Sequence, residues 1–545
     1  MNTYDIVIIG AGSAGCVLSN RLSEDESLSV LLIEAGGTDK HPFVRVPAAS
    51  GKAIFNPRFN WMYMAEHDPS RNLPQPEMWP AGKALGGGGS INGMMFVRGH
   101  RYDYDNWADL GATGWAYDDV LPYFKKLETN ERGADDYRGG NGPLSVSEVR
   151  APSPLTKRWL EAAQNIGIKR CDDLNGADAE GVDYVQSSQK NGKRHSASAA
   201  YLWPVVARKN LTVWTNTSVV KVNFNGNVAT GVSASKGNEI IEITAQRGVV
   251  LTAGSLATPK IMKMSGVGPA NELEALNIPV VASISGVGKN LQEHPGVPMG
   301  HHVSSPSIGS KGNLFVDAVK NVFYGINYLL RGRGPLSCGV GHAQAMVRTS
   351  DKYDVPNAQI IMSPFSFEVD EKGPRLYDKP AIGVAVGLTR TEARGSVSLR
   401  SADWRDPPKI EYEMLSSQHD VEQLIDACKM AREITRAAPF NEVLKDDRAP
   451  DESIQSDEEW EAFVRANAFP MYHPCGTCAM GNDSDSVVDP LCRVHGTEKF
   501  WVADASVFPR VTAGNINATV IMVAEKAADH IKQALQETQK IKDVA

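Results

Sequence analysis

A short apolar run, YDIVIIG (residues 4–10), meets the glycine pattern G-A-G-S-A-G and constrains this chain more than any other feature. The residues that follow, SAGCVLSNRLSED, place Ala14, Val17, Leu18 and Leu22 at helical spacing. A second apolar run, SVLLIEAGG (residues 29–37), carries Glu34 at its end. Runs that are apolar on both faces read as buried parallel strands, so the first 35 or so residues predict a βαβ unit. Gly10 permits the tight turn, Gly12 lets backbone approach a pyrophosphate, and Gly15 lets the helix pack on the strand. Ser13 and Ala14 open that helix, whose N-terminus offers unpaired N–H groups and partial positive charge to an anion. Glu34 stands where a carboxylate hydrogen-bonds a ribose diol. The unit therefore predicts dinucleotide binding, and leaves FAD and NAD both open.

Two later apolar runs, GVVLTAG (residues 248–254) and FWVADAS (residues 500–506), read as further strands whose carboxyl ends face a ligand crevice. NATVIMVAEKAADHIKQALQ reads as a long helix. Between about 300 and 460 the texture changes. AIGVAVGLTR and GSVSLRS alternate as in a half-polar antiparallel sheet, and DVEQLIDACKMAREITRAA has helical spacing. The expected fold is α/β, a Rossmann-like nucleotide-binding domain with an inserted α+β substrate domain built on an antiparallel sheet. The discontinuous cofactor domain takes residues 1–155, 195–300 and 462–545, and the substrate domain takes 156–194 and 301–461.

With 545 residues, 42% of them hydrophobic, the chain has ample material for such a core. A formal net charge of -8 argues against nucleic acid as a partner, since phosphate backbones demand clustered Lys and Arg. The seven cysteines are odd in number and irregularly spaced, which does not suggest a disulfide framework and fits a reducing compartment. Cys475 and Cys478 match C-x-x-C, but no second Cys/His pair stands at zinc spacing, so they read as two small semi-buried residues with no metal. The N-terminus lacks the basic region of a signal peptide, and no run reaches the roughly 18 apolar residues that would span a membrane. The expected location is the cytoplasm, with peripheral contact at the inner face of a membrane left open.

The oddest stretch is WPAGKALGGGGSINGMMFVRGH (residues 79–100), in which four consecutive glycines precede an apolar segment. It is matched far downstream by MYHPCGTCAMG (471–481) and VADASVFPRVTAGNINATVIMVAEKAAD (502–529). With AGSLATPKIMKMSGVGP (253–269) and GVGKNLQEHP (286–295), these motifs occur in an order over more than 500 residues that resembles the glucose-methanol-choline oxidoreductases, a family of FAD enzymes.

The resemblance implies FAD as the cofactor, with the glycine run lying against the isoalloxazine and pyrophosphate. It implies flavin contacts from Leu85, Gly88, Asn92, Gly93, Met94, Met95 and Val97. It extends the cofactor site to Ala35, Val219, Ala253, Asp504 and Ala505. Some members of the family carry a histidine in this stretch that bonds covalently to flavin; here the corresponding position is Ile91, which predicts non-covalent FAD. The implied catalytic pair is His473 and Asn515, with Asn517, Ala518 and Thr519 nearer the flavin pyrimidine at a helix N-terminus. The register that exchanges Asn515 and Asn517 stays open. His294, His301 and His302 read as structural, and nothing connects His195 to the cofactor.

A neutral imidazole suits proton abstraction from an alcohol near pH 7, because losing that proton favours hydride departure from carbon. The expected reaction is oxidation of a primary alcohol, aliphatic or aromatic rather than choline, by hydride transfer to flavin N5. SINGMMFVRGHRYDYDNWADLG resembles bacterial alcohol and choline dehydrogenases more than fungal sugar oxidases, which implies a quinone or other carrier as electron acceptor. The alternatives are an oxidase passing electrons to oxygen, a hydroxynitrile lyase with a redox-idle flavin, and an NAD enzyme.

Overall fold

The structure, a computed structural model, describes residues 2–71, 76–237, 239–311, 314–370 and 373–544. Two seven-stranded sheets organise it. In the first, β1 (Thr3–Ile9) lies between β2 (Val30–Ile33) and the second half of the long strand Glu239–Leu251. Leu211–Trp214 pairs outside β2, and Phe500–Val502 pairs outside Glu239–Leu251. These pairings are all parallel. Ile9 stands opposite both Ile33 and Leu251, Trp214 opposite Ile33, and Val502 opposite Leu251. The carboxyl ends of five strands thus form one edge, the place where parallel sheets bind ligands. The apolar runs singled out in the sequence all end there. The first half of Glu239–Leu251 instead pairs antiparallel with Val228–Lys236, which pairs with Thr217–Asn225.

Helix α1 (Ser13–Leu22) leaves this edge from an N-cap glycine, Gly12, with no side-chain cap. Its first amides are therefore left for an external partner. It packs against the C-terminal helix Asn517–Val544. Gly10 has φ +95°, the left-handed region that glycine tolerates. A Cβ on Gly15 would lie 1.9 Å from the Gly10 carbonyl oxygen, so helix and strand approach closer than any side chain allows.

The second sheet is antiparallel, in the order Leu444–Ala449, Pro295–Val303, Ala381–Leu388, Ala358–Ser363, Ala343–Val347, Gly181–Tyr184. Residues 301–461 do supply most of it, but its polar positions do not face solvent as a half-polar sheet would. Ala358, Ile360 and Met362 face a core formed with helices Gln418–Arg436 and Pro154–Asn165. The alternate residues Gln359, Ile361 and Ser363 point the other way, toward the first sheet; Ile361 and Ser363 line a cavity there and Gln359 bonds Asn515. Both faces are buried, since one is covered by helices and the other forms a wall of the site.

The division expected at 300/301 falls inside the strand Pro295–Val303. That strand pairs with Ala381–Leu388 from Gly296 onward, and its first residues pair with Phe469–Pro470. The ladder is continuous, so these residues of the expected cofactor domain belong to the second sheet. The 461/462 division likewise falls within the helix Asp457–Asn467.

Replacing Gly15 by Ala forces a methyl into the Gly10 carbonyl. A loss of about 1–3 kcal/mol in chemical denaturation is expected, accompanied by a lower content of bound yellow cofactor after purification.

Candidate active site

Between the two sheets lies a cavity of about 1050 Å³ that runs from Glu34 to His473. Its floor at one end is the first glycine loop. A Cβ on Gly12 would point into open space, no nearer than 3.7 Å to the Thr252 carbonyl. The second glycine run seats on this loop. A Cβ on Gly87 would lie 2.7 Å from Gly12 Cα, and one on Gly82 would lie 2.1 Å from the Gly87 carbonyl carbon. Gly87–Ser90 forms a 3-10 turn entered by Gly86 at φ +87°, and the Gly86 N–H donates to the Ala11 carbonyl at 2.7 Å. A Cβ on Gly88 would meet nothing within 4 Å, because this glycine faces the cavity. Side chains are absent where backbone must meet backbone, and again where it must meet a ligand.

Glu34 is buried. Its carboxylate accepts from the Ala11 N–H at 2.9 Å and the Gly36 N–H at 2.7 Å. Burial pushes the carboxyl up to about 7. The remaining lone pairs face the cavity, as recognition of a ribose diol demands.

Of the cofactor residues expected from the sequence, Gly10, Gly12, Ser13, Ala14, Glu34, Ala35, Gly88, Asn92, Gly93, Met94, Met95, Val219, Ala253, Asp504, Ala505 and Asn517 line this cavity. Five do not. Gly15 packs on β1, and Leu85 and Ala518 lie in the hydrophobic core. Val97 stands against Gly514. The Thr519 hydroxyl is taken by Tyr104 at 2.9 Å and Thr512 at 3.4 Å. Helical periodicity is the reason at the C-terminus: Asn517 begins its helix at the cavity, and the next two positions rotate into the core.

At the other end, His473 is held from three sides. Its backbone N–H donates to both oxygens of Glu293 at 2.8 and 2.7 Å, and the same carboxylate accepts from the His294 N–H at 2.7 Å. Burial pushes the Glu293 carboxyl up to about 8. His473 Nδ1 stands 2.9 Å from His294 Nδ1, and its Nε2 stands 2.9 Å from Asn515 Nδ2. The amide orientation follows from Asn515 Oδ1, which accepts from Gln359 Nε2 at 3.4 Å. An amide nitrogen only donates, so His473 Nε2 accepts and carries no proton. The proton sits on Nδ1 and is donated to His294. Desolvation, reinforced by the neighbouring His294, holds the His473 imidazolium pKa well below its ordinary value, so the ring is neutral. Asn517 donates instead to Ser13 Oγ at 2.8 Å, so Asn515 is the asparagine hydrogen-bonded to His473.

His294, expected to be turn structure, is thus in direct contact with His473. Glu293 was missed altogether; the signal was a carboxylate with no surface role at the head of an apolar strand. Arg194 was also missed. It is buried, donates to Val44 O, Gly89 O, Ser50 Oγ and both Asn92 oxygens, and clamps the glycine run from behind. His301 pairs with Asp447 and His302 with Asp446, as structural histidines. His195 Nδ1 accepts from the Ser145 N–H at 3.0 Å and does not line the cavity. Cys475 and Cys478 are buried free thiols, and burial pushes both up. No metal-ligating cluster occurs among the described residues.

Backbone strain marks the same place. Met94 and Tyr472 both line the cavity with left-handed φ, +65° and +66°, a conformation non-glycine residues hold only when the surroundings impose it.

Family models described as GMC oxidoreductase match residues 4–296 and 391–524. The chain belongs to the GMC oxidoreductase family. It is 39% identical over 533 residues to the oxygen-dependent choline dehydrogenase of Brucella ovis, covering 97% of this chain and 95% of that one. The protein of the same name from Sinorhizobium fredii is also 39% identical, over 530 residues, with the same coverage. Among solved structures, pyridoxine 4-oxidase from Mesorbium loti superposes with a TM-score of 0.87 at 28% identity, over 97% of this chain and 99% of its own. A fungal aryl-alcohol oxidase superposes with a TM-score of 0.81 at 25% identity, over 99% and 100%. The enzyme is accordingly an FAD-dependent oxidoreductase that acts on CH–OH donors, and the glycine cradle, Glu34 and the cavity between the sheets fit that cofactor.

His294→Phe removes the acceptor for His473 Nδ1–H and leaves the rest of the site standing. FAD content is expected to stay unchanged while kcat/KM falls about 10- to 100-fold. The parent profile should hold as pH falls through 6.5 and decline only below, whereas loss of the His294 contribution moves the variant's acidic limb upward.

Proposed function

We propose that the enzyme oxidises an uncharged primary alcohol to the aldehyde, with His473 as general base and Asn515 as hydrogen-bond donor to the same oxygen. The observation that carries this reading is the Asn515–His473–His294 chain, which leaves an unprotonated Nε2 at the end of an apolar chamber. The substrate hydroxyl takes up a place between Nε2 and the Asn515 amide. His473 accepts the hydroxyl proton, and Asn515 Nδ2 stabilises the negative charge left on oxygen. The bond from His473 Nδ1 to His294 keeps the ring oriented with Nε2 toward the substrate. FAD bound in the cavity supplies the acceptor for the hydride that leaves the carbinol carbon. Glu293 keeps both histidine backbones in place throughout.

The chamber around His473 supports an apolar substrate. Met94, Met95, Val340, Ile361, Phe367, Phe469 and Tyr472 line it, and the lining carboxylates among the described residues, Glu34 and Asp504, lie with the glycine loops. Asp504 is already occupied by the Gly254 N–H and the Thr258 hydroxyl. Choline is the second reading, favoured by the relatives' names and by the rings of Phe367, Phe469 and Tyr472, which suit a quaternary ammonium, but no lining carboxylate among the described residues stands at this end to balance its charge. For reoxidation we assign a quinone-class carrier, supported by the exposed apolar side chains Phe55, Val340 and Phe367 that line the cavity. Oxygen is the second reading, favoured by the names of the oxygen-dependent relatives and of the pyridoxine and aryl-alcohol oxidases.

His473→Ala should keep its FAD and reduce it with alcohol about 10²- to 10⁴-fold more slowly under anaerobic conditions; an unchanged rate of bleaching would overturn the assignment. Because Ile91 offers no nucleophile to the flavin, we assign non-covalent attachment. Acid precipitation is then expected to release the yellow colour into the supernatant, and a yellow pellet would contradict it.

A further inference from the structure

The helix Leu314–Arg331 carries apolar residues outward. Val319, Val322, Phe323, Ile326, Leu329 and Leu330 are between 51% and 83% exposed. At 3.6 residues per turn they fall in one stripe about 120° wide, and Tyr328, on the opposite face, is buried. A contiguous apolar stripe of this kind is rare on a free protein surface and marks a contact. Its chemistry is specific. Lys320 and Arg331, both exposed, follow one border of the stripe, and exposed Arg333 stands just past the helix end. In a chain of net charge -8, cations gathered beside exposed leucine and phenylalanine match an anionic lipid surface: acyl chains for the stripe, headgroups for the Lys and Arg. The helix is about 27 Å long, and no helix among the described residues is long and apolar enough to cross a membrane. It therefore lies along the surface rather than through it.

The helix also borders the cavity mouth. It runs into the turn Pro335–Ser337, which packs on Pro47–Ala49, the segment leading to the cavity-lining residues Ser50, Ile54 and Phe55. Phe55, Val340 and Phe367 line the cavity and are nevertheless 41–44% exposed, so they form one part of its rim, apart from the exposed lining residues Arg400 and Arg405. This apolar part continues the apolar stripe.

We propose that this helix seats the enzyme on an anionic bilayer, with the cavity mouth turned toward the acyl region. An apolar alcohol or a lipid-soluble acceptor then reaches the site without crossing water. The seating rests on the helix alone, and its use for the acceptor rests on the quinone-class reading above.

The holoenzyme is sedimented with vesicles of phosphatidylcholine alone or mixed with phosphatidylglycerol. Binding is expected to the mixed vesicles and to weaken as salt is raised. A triple variant, Val322→Ser with Phe323→Ser and Leu329→Ser, should bind at least about tenfold more weakly. It should retain its flavin spectrum and its turnover with a water-soluble alcohol and a soluble dye acceptor. Charge reversal by Lys320→Glu with Arg331→Glu should reduce binding to the mixed vesicles alone. A parent enzyme that stays in the supernatant with mixed vesicles would overturn the proposal, and so would a triple variant that binds as well as the parent. A parent that ignores vesicles but dissociates from dimer to monomer on triple substitution would assign the stripe to a second copy of the chain and equally overturn it. Vesicle binding is read without catalysis, so it stands or falls separately from the choice of acceptor.

Discussion

The site depends on glycine meeting glycine. The Gly82–Gly89 segment settles on the Gly10–Gly15 loop at distances that exclude any Cβ, with Gly87 against Gly12 and Gly82 against Gly87. Gly86 closes the contact with a backbone hydrogen bond to Ala11. Flexibility is the usual consequence of four glycines in a row, yet here the run is pinned on one side by the first loop and on the other by Arg194, which bonds Gly89 O and both oxygens of Asn92 and is itself anchored to Val44 O and Ser50 Oγ. The guanidinium has no carboxylate partner among the described residues, and burial holds its pKa down to about 9. It is sustained by carbonyl, amide and hydroxyl oxygens, which together satisfy a charge that burial alone would forbid.

The His473 end is built on the same economy of position. Glu293 stands just before the strand Pro295–Val303 of the second sheet, and Met471–Pro474 comes from the chain that returns to the first. One carboxylate ties them by accepting from the N–H of His473 and of His294. The two rings then face each other, and Asn515 reaches His473 from the loop before the C-terminal helix. Gln359, from the middle of the antiparallel sheet, sets the Asn515 amide. Protonation state, tautomer and amide orientation are thus decided by residues from four separate parts of the chain.

Much of this was legible in the order of residues. The βαβ unit follows from apolar runs, a glycine pattern and an acid at the end of the second strand, all local signals that act within 35 residues. His473 and Asn515 were legible because each sits in a distinctive motif. That the Thr519 hydroxyl turns to Tyr104 and Thr512 was not legible, because spacing in a loop does not reveal where helical rotation begins. What covers the two faces of the second sheet was not legible, because alternation shows that two faces differ and not what lies against each. Glu293 and His294 were passed over because a Glu-His-Pro sequence resembles a turn, and only the partner loop, 180 residues on, turns it into a support.

By itself the sequence determined the βαβ unit, its dinucleotide chemistry and the types of residue available for proton abstraction. These depend on contacts between neighbours in the chain or on residues whose chemistry is intrinsic. Tertiary structure alone decided which asparagine meets the imidazole, which ring nitrogen carries the proton, and that the glycine run is rigid. Each of these is a relation between separate segments, 42 residues apart for Asn515 and His473 and 179 for His294 and His473, set by burial and hydrogen bonding that no local pattern encodes.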